Sequence, residues 1–173
     1  EADPPPKKSK RAAVWYRSVA RTNWAWWAVG GYLASCSLFN LADVVNQAIL
    51  PASIFEEIDE GVVARLIAPE NNDFLASLVG YVAPCLSAPW WEEVLYRGFM
   101  LPALAARLPF WAAVVASGLL FSAHHMNAVA FLPLAVLGMA WAVIYAKSRN
   151  ILVTMVIHAM WNSRVFIGSW LGL

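Results

Sequence analysis

The sequence contains few charged residues and few cysteines for its length. Lysine, arginine, aspartate and glutamate together make up 13% of the 173 residues, against roughly 25% in typical soluble domains. This deficit excludes an ordinary soluble globular domain and an intrinsically disordered tail, since both are richer in charge. The two cysteines, Cys36 and Cys85, lie in apolar runs. They do not indicate a disulfide-rich secreted scaffold.

Hydrophobic residues take the place of the missing charges. They make up 61% of the chain, and the mean hydropathy is +0.57, whereas soluble domains are about 45–50% apolar. The apolar segments do not alternate apolar with polar residues, so they are predicted to be helices rather than membrane strands. The composition therefore predicts an all-α integral membrane protein, a polytopic bundle of transmembrane helices.

Residues 1–23 form a basic, polar N-terminal tail. Six lysine and arginine residues lie between Lys7 and Arg21, and an apolar segment follows immediately. A basic tail can bind nucleic acid, but basic residues beside a first apolar span more often set membrane topology. We therefore expect no nucleic-acid partner, and we assign residues 24–173 to one transmembrane domain.

Five apolar segments are candidates for membrane spans. An α-helix rises about 1.5 Å per residue, so roughly 20 residues cross a hydrocarbon core of about 30 Å. The predicted spans are residues 24–50, 74–108, 109–125, 128–146 and 151–171. An interfacial amphipathic helix is predicted at residues 54–67, where an apolar stripe is formed by Ile54, Ile58, Val62 and Leu66.

Basic residues predict the orientation of these spans. Lys147 and Arg149 lie in the loop before the last span, and four spans separate this loop from the basic tail. An even number of spans places both on the same side of the membrane, and basic segments generally stay inside. The N-terminus is therefore expected on the cytosolic side, or on the stromal side in a plastid membrane.

Polar and ionisable side chains cluster in three successive apolar segments. Such residues are rare inside membranes because burying a charge is costly, and they usually face a cavity or a partner in the bundle. The cluster consists of Glu92, Glu93, Arg97, His124, His125, His158 and Asn162. We interpret this cluster as a candidate functional site.

Helix spacing separates two roles for the acidic residues. Glu93 and Arg97 are four residues apart and can form an ion pair along one helix face. Glu92 points about 100° away from Glu93, so it cannot easily share that arginine. A carboxylate without a cation in a desolvated site is a stronger base than in water, as general acid–base catalysis near neutral pH requires. Glu92 is therefore the candidate base.

Helix geometry also selects partners for Glu92. If residues 74–108 and 109–125 form antiparallel helices, Glu92 and His125 each lie about 25 Å from the turn and reach the same depth. His158 and Asn162 are four residues apart and share one face of the last span. His124 adjoins His125, and the pattern leaves open which imidazole faces inward.

Three ordered motifs resemble the CPBP family of intramembrane proteases, which includes type II CAAX prenyl endopeptidases and bacteriocin-processing enzymes. The motifs, within residues 80–165, are Glu92-Glu93-x-x-x-Arg97, Phe121-x-x-x-His125 and His158-x-x-x-Asn162. The resemblance implies a helical membrane enzyme in which Glu92 and His125 activate a water molecule for peptide hydrolysis. It further implies that His158 and Asn162 stabilise the oxyanion and that Glu93 with Arg97 holds the helix.

The resemblance leaves the cofactor open. A divalent metal such as zinc, held by Glu92, His125 and His158, is one alternative to a metal-free water. The implied partners are the lipid bilayer and a membrane-anchored peptide or protein, for example a prenylated one. The rival hypothesis is a non-catalytic subunit, assembly factor or chaperone of a larger membrane complex, in a plastid or photosynthetic membrane, whose polar cavity serves a pigment or lipid.

Overall fold

The computed structural model of the protein describes residues 23–51, 54 and 74–171. The regular secondary structure of these residues is entirely helical, which confirms the all-α fold class. We number the helices α1 (Trp24–Ile49), α2 (residues 74–105), α3 (Phe110–His124), α4 (Phe131–Ser148) and α5 (Ile151–Leu171). The interfacial helix predicted at residues 54–67 lies outside the described residues except for Ile54, and the basic tail does so except for Asn23.

Three of the described helices are long and apolar enough to cross a membrane, namely Trp24–Ile49, Phe131–Ser148 and Ile151–Gly168. Helix α3 is apolar but has only 15 residues, so its length of about 22 Å falls short of a full hydrocarbon core. Its end is followed by Met126 in the left-handed conformation, with a φ of 50°. This residue turns the chain directly after the two adjacent histidines.

Helix α2 contains two π-helical segments. Its successive parts are Phe74–Val82, the π segment Ala83–Ser87, Ala88–Glu93, the π segment Val94–Met100 and Leu101–Ala105. Pro89 and Pro102 each stand two residues after the end of a π segment. A proline in a regular α-helix clashes with the carbonyl four residues earlier, and a wider π turn relieves that clash. The two prolines therefore explain the π segments, between which the two glutamates lie.

Helices α3 and α4 approach closely at Gly118 and Gly138. A Cβ atom at Gly138 would lie 3.0 Å from Gly118 Cα and 3.0 Å from Phe121 Cδ1. Small residues allow such close crossings of membrane helices. The carbonyl oxygen of Gly138 accepts a hydrogen bond of 3.0 Å from Arg97 Nη2, so this crossing also positions an acceptor for α2.

Trp141 forms the buried centre of the bundle. Its indole Nε1 donates to Ser35 Oγ at 2.9 Å, and Ser35 donates in turn to the carbonyl oxygen of Gly31 at 2.6 Å. These bonds join α4 to α1 in surroundings where an unpaired indole N–H would be costly. The indole also packs against α5, with 4.5 Å between the ring centroids of Trp141 and His158. The core thus fixes the position of one predicted site residue.

Candidate functional site

Glu93 lies at the centre of the polar cluster. Its Oε1 accepts a hydrogen bond of 2.8 Å from Arg97 Nη1 and lies 3.0 Å from His158 Nδ1. The Glu93 and Arg97 side chains are both fully buried. The ion pair predicted from the spacing is therefore present, and the same carboxylate also connects α2 to α5.

Aromatic rings enclose the guanidinium of Arg97. Its Cζ atom lies 4.9 Å from the ring centroid of Phe121 and 5.4 Å from that of Trp141. A desolvated cation above an aromatic ring gains about 2 kcal/mol. The rings, the Glu93 carboxylate and the Gly138 carbonyl together explain how this charge is accommodated inside the bundle.

Glu92 is adjacent to this pair but does not share its hydrogen bonds. Its side chain is buried, with 8% of the residue exposed. Its Oε2 atom has no hydrogen-bond partner among residues 23–51, 54 and 74–171. A buried carboxylate oxygen without a donor is uncommon because its desolvation is uncompensated. Glu93 Oε2 also lacks a partner there, so the two acids differ at Oε1, which in Glu93 is bonded to Arg97 and His158.

His125 directly follows α3, and the structure defines which of its nitrogens carries the proton. Nδ1 lies 2.8 Å from the carbonyl oxygen of Phe121. A carbonyl only accepts hydrogen bonds, so Nδ1 is the donor and a neutral imidazole keeps a lone pair on Nε2. The side chain is exposed. His125 is therefore accessible, and its neutral imidazole presents Nε2 as a hydrogen-bond acceptor.

His124 faces α2 instead. Its ring centroid lies 5.7 Å from that of Trp91 and 6.1 Å from that of Tyr96. These residues flank Glu92 in α2, so the end of α3 reaches the depth of Glu92, as expected for antiparallel helices. The ring of His125 packs 4.6 Å from that of Phe121, a ring that also adjoins the paired charges.

His158 is buried between aromatic rings and bonded to a carboxylate. It is 2% exposed, and its ring lies 6.0 Å from that of Phe121. Because Nδ1 donates to Glu93, a neutral His158 has an unprotonated Nε2. A protonated His158 forms a second ion pair with Glu93 and presents an N–H at Nε2. The state of this imidazole decides whether it accepts or donates.

Asn162 forms a hydrogen bond that the sequence does not predict. Its Nδ2 donates to the carbonyl oxygen of Pro84 at 2.6 Å. In the π segment, Ala88 N–H bonds to Ala83, and Pro89 has no N–H to donate. The Pro84 carbonyl therefore lacks both of its usual helical donors, and the carboxamide of Asn162 replaces them. The second N–H of that amide remains for another acceptor.

We expect Asn162→Ala to lower the free energy of unfolding by about 1–3 kcal/mol, because it leaves the Pro84 carbonyl without its donor. Thermal unfolding in mild detergent measures the loss. Asn40→Ala is the matched control, since Asn40 is an exposed asparagine in α1. Equal melting temperatures for the two variants would contradict a structural function for Asn162.

Metal binding was one prediction for this cluster. His125 and His158 each use Nδ1 to bind an oxygen acceptor, as metal-binding imidazoles commonly do. In the part of the chain that the structure describes, however, no three histidine, cysteine, aspartate or glutamate side chains come together as a metal site. We therefore derive no reaction step through a metal. Zinc binding by Glu92 with the two histidines stays a prediction.

Another contact near the site was not predicted from the sequence. Asn46, near the end of α1, donates from Nδ2 to the carbonyl oxygen of Val129 at 2.7 Å. This bond ties α1 to the loop that follows His125. Asn46 is only 4% exposed, and a polar side chain near the end of an apolar span was the available signal. Its partner is 83 residues away in the sequence, so spacing could not identify it.

Part of the chain is similar in sequence to a known protein family. A family model for type II CAAX prenyl endopeptidases, described as Rce1-like, matches residues 74–164, a region that contains every predicted site residue. The chain is also 23% identical over 141 residues to the "Putative membrane peptidase YdiL" of Bacillus subtilis (strain 168). That match covers 82% of this chain and 54% of the relative, so the chain spans about half the relative's length. No solved structure gives a significant match.

Proposed function

This chain is an integral membrane protein of the Rce1-like family of type II CAAX prenyl endopeptidases, and we propose that it is an active protease. Its proposed reaction is hydrolysis of a peptide bond in a membrane-associated or prenylated substrate. The observation that carries the proposal is the contrast between two adjacent buried glutamates. Oε2 of each glutamate has no hydrogen-bond partner among the described residues, but Oε1 of Glu93 is bonded to Arg97 and His158. These two bonds give Glu93 a structural role in which Glu92 takes no part.

In the proposed reaction Glu92 is the base. Its carboxylate takes one proton from a water molecule, and His125 Nε2 accepts a hydrogen bond from the other O–H. The water oxygen bonds to the carbonyl carbon of the substrate and forms a tetrahedral oxyanion. Glu92 then passes its proton to the amide nitrogen as the C–N bond breaks. The products are a free amine and a carboxylic acid, which then releases the second water proton to solvent and becomes a carboxylate.

The oxyanion requires hydrogen-bond donors. A protonated His158 supplies one from Nε2 while Nδ1 keeps its bond to Glu93. The second amide N–H of Asn162 supplies another. An oxyanion donor in a desolvated site contributes about 2.7–4 kcal/mol to transition-state stabilisation. This assignment gives both residues of the last motif a catalytic role in addition to their structural bonds.

The experiment that tests the proposal is a cleavage assay on the purified protein in liposomes. A prenylated, fluorescently quenched peptide is the substrate, and the same peptide without the prenyl group is the control. We expect cleavage of the prenylated peptide. Absence of cleavage of both peptides, with and without added zinc, would contradict the proposal.

The proposed topology places the basic tail and the Lys147–Arg149 loop on the cytosolic side. Single cysteines at residue 5 and at the exposed position 147, in a background without Cys36 and Cys85, should therefore react with a membrane-impermeant maleimide from the same side of sealed vesicles. Labelling from opposite sides would mean that the number of spans between them is odd. A non-catalytic function and a plastid location stay predictions, because none of the contacts or relatives described above supports them.

A further inference from the structure

Arg164 is a membrane-embedded cation that the proposed reaction does not use. It lies six residues after His158 in α5, about 9 Å farther along the helix. Its Cζ lies 3.7 Å from the ring centroid of Trp161, and its Nη1 lies 3.8 Å from Cys36 Sγ. Within the described ranges the ion pairs are those of Glu93, so no carboxylate there neutralises Arg164.

An uncompensated charge in a membrane helix is costly and indicates a function by default. Cysteine sulfur is a weak hydrogen-bond acceptor, and the Trp161 ring contacts only the face of the guanidinium. None of these side chains is an anion, and neither are those of Phe39 and Tyr32, which also lie beside the guanidinium. The surroundings of Arg164 therefore favour a ligand with a negative charge.

Arg164 lines a cavity of about 530 Å³ between α1, α2 and α5, a size usual for small-molecule sites. Apolar side chains form most of the wall, including those of Leu86, Met160 and Ile167. Leu86 is 55% exposed and Ile167 is 49% exposed, so the cavity adjoins the surface that the bilayer covers. A ligand with a long hydrocarbon chain fits this lining.

The depth of Arg164 places its charge in the leaflet opposite the Lys147–Arg149 loop. It lies 13 residues after Ile151, or about 20 Å along α5, which is more than half of a core of about 30 Å. Arginine side chains inside membranes extend toward the nearer interface and draw phosphate groups toward them. The guanidinium of Arg164 can therefore reach the lipid headgroups of that leaflet.

We propose that this cavity binds one anionic phospholipid. The phosphate accepts hydrogen bonds from the planar guanidinium of Arg164, whose paired N–H groups match phosphate geometry. An acyl chain lies along Leu86, Met160 and Ile167. A choline headgroup would bring a second cation next to Arg164, so the site prefers phosphatidylglycerol to phosphatidylcholine. This lipid site is separate from the glutamate and histidine cluster.

Native mass spectrometry of the purified protein tests the proposal. We expect the wild type to bind one dioleoylphosphatidylglycerol at least about tenfold more tightly than dioleoylphosphatidylcholine, as for a charge-assisted hydrogen bond. Arg164→Gln should lose about the same factor for phosphatidylglycerol. Arg164→Lys should keep part of the preference because the charge remains. The matched control is Arg107→Gln, which removes an exposed arginine and should leave lipid binding unchanged.

Equal binding of both lipids by the wild type, or unchanged binding by Arg164→Gln, would overturn the proposal. If Arg164→Gln does not fold, the lipid preference of the wild type decides the outcome. Competition with a peptide tests whether the cavity binds a peptide carboxylate instead of a lipid phosphate. Displacement of phosphatidylglycerol by a membrane peptide with a free C-terminal carboxylate, but not by its amide, would assign the cavity to a peptide and overturn the lipid site.

Discussion

Glu92→Gln is expected to reduce peptide cleavage to background while the protein stays folded. Glutamine has nearly the same shape as glutamate but cannot accept a proton from water, and loss of a general base typically lowers kcat by about 10²–10⁴-fold. The melting temperature should hold or rise, because Oε2 of Glu92 has no hydrogen bond to lose among the described residues and a neutral amide is cheaper to bury than a charge. The cleavage assay and thermal unfolding in detergent measure the two effects.

His125→Ala should lower kcat to a similar degree, because His125 is the proposed partner of Glu92 in activating water. The adjacent histidine is the matched control. His124 packs against Trp91 and Tyr96, and His124→Ala should keep most of the activity. An inactive His124→Ala variant together with an active His125→Ala variant would mean that His124, and not His125, is the partner of Glu92 in activating water. Full activity of Glu92→Gln would exclude Glu92 as the base.

The helices could be predicted from the sequence because membrane spans are long, continuous apolar segments. The predicted spans at residues 24–50 and 151–171 differ from α1 and α5 by no more than one residue. Hydropathy does not distinguish an α turn from a π turn, however. The π segments of α2 follow from Pro89 and Pro102, whose effect depends on backbone geometry rather than on apolar character.

The candidate site was predictable where its contacts are local. Four-residue spacing predicts the Glu93–Arg97 pair, since helix geometry alone brings the two side chains together. The bonds of His158 to Glu93 and of Asn162 to Pro84 cross 65 and 78 residues of sequence. Such bonds depend on how the helices pack. Arg164 could have been singled out as a charge in an apolar span, but its cavity could not.

Removal of either member of the Glu93–Arg97 pair is expected to destabilise the fold by about 3–5 kcal/mol, because an uncompensated charge then remains in a desolvated site. Both side chains are fully buried. Glu93→Ala should be the more damaging change, since it also removes the acceptor of His158 Nδ1. After Arg97→Ala, His158 Nδ1 can still donate its hydrogen bond to the carboxylate. Thermal unfolding in mild detergent should therefore rank the wild type above Arg97→Ala, and Arg97→Ala above Glu93→Ala.

The double change Glu93→Gln with Arg97→Met separates the charge from the packing. It leaves no lone charge, and the carbonyl of Gln can still accept the hydrogen bond from His158, so part of the lost stability should return. A double variant no more stable than either single alanine variant would mean that the shape of the arginine, enclosed by Phe121 and Trp141, matters more than its charge. Glu92→Gln is the matched comparison, with an unchanged or higher melting temperature expected. Equal destabilisation by Glu92→Gln and Glu93→Ala would make both carboxylates structural and remove the physical basis for Glu92 as the base.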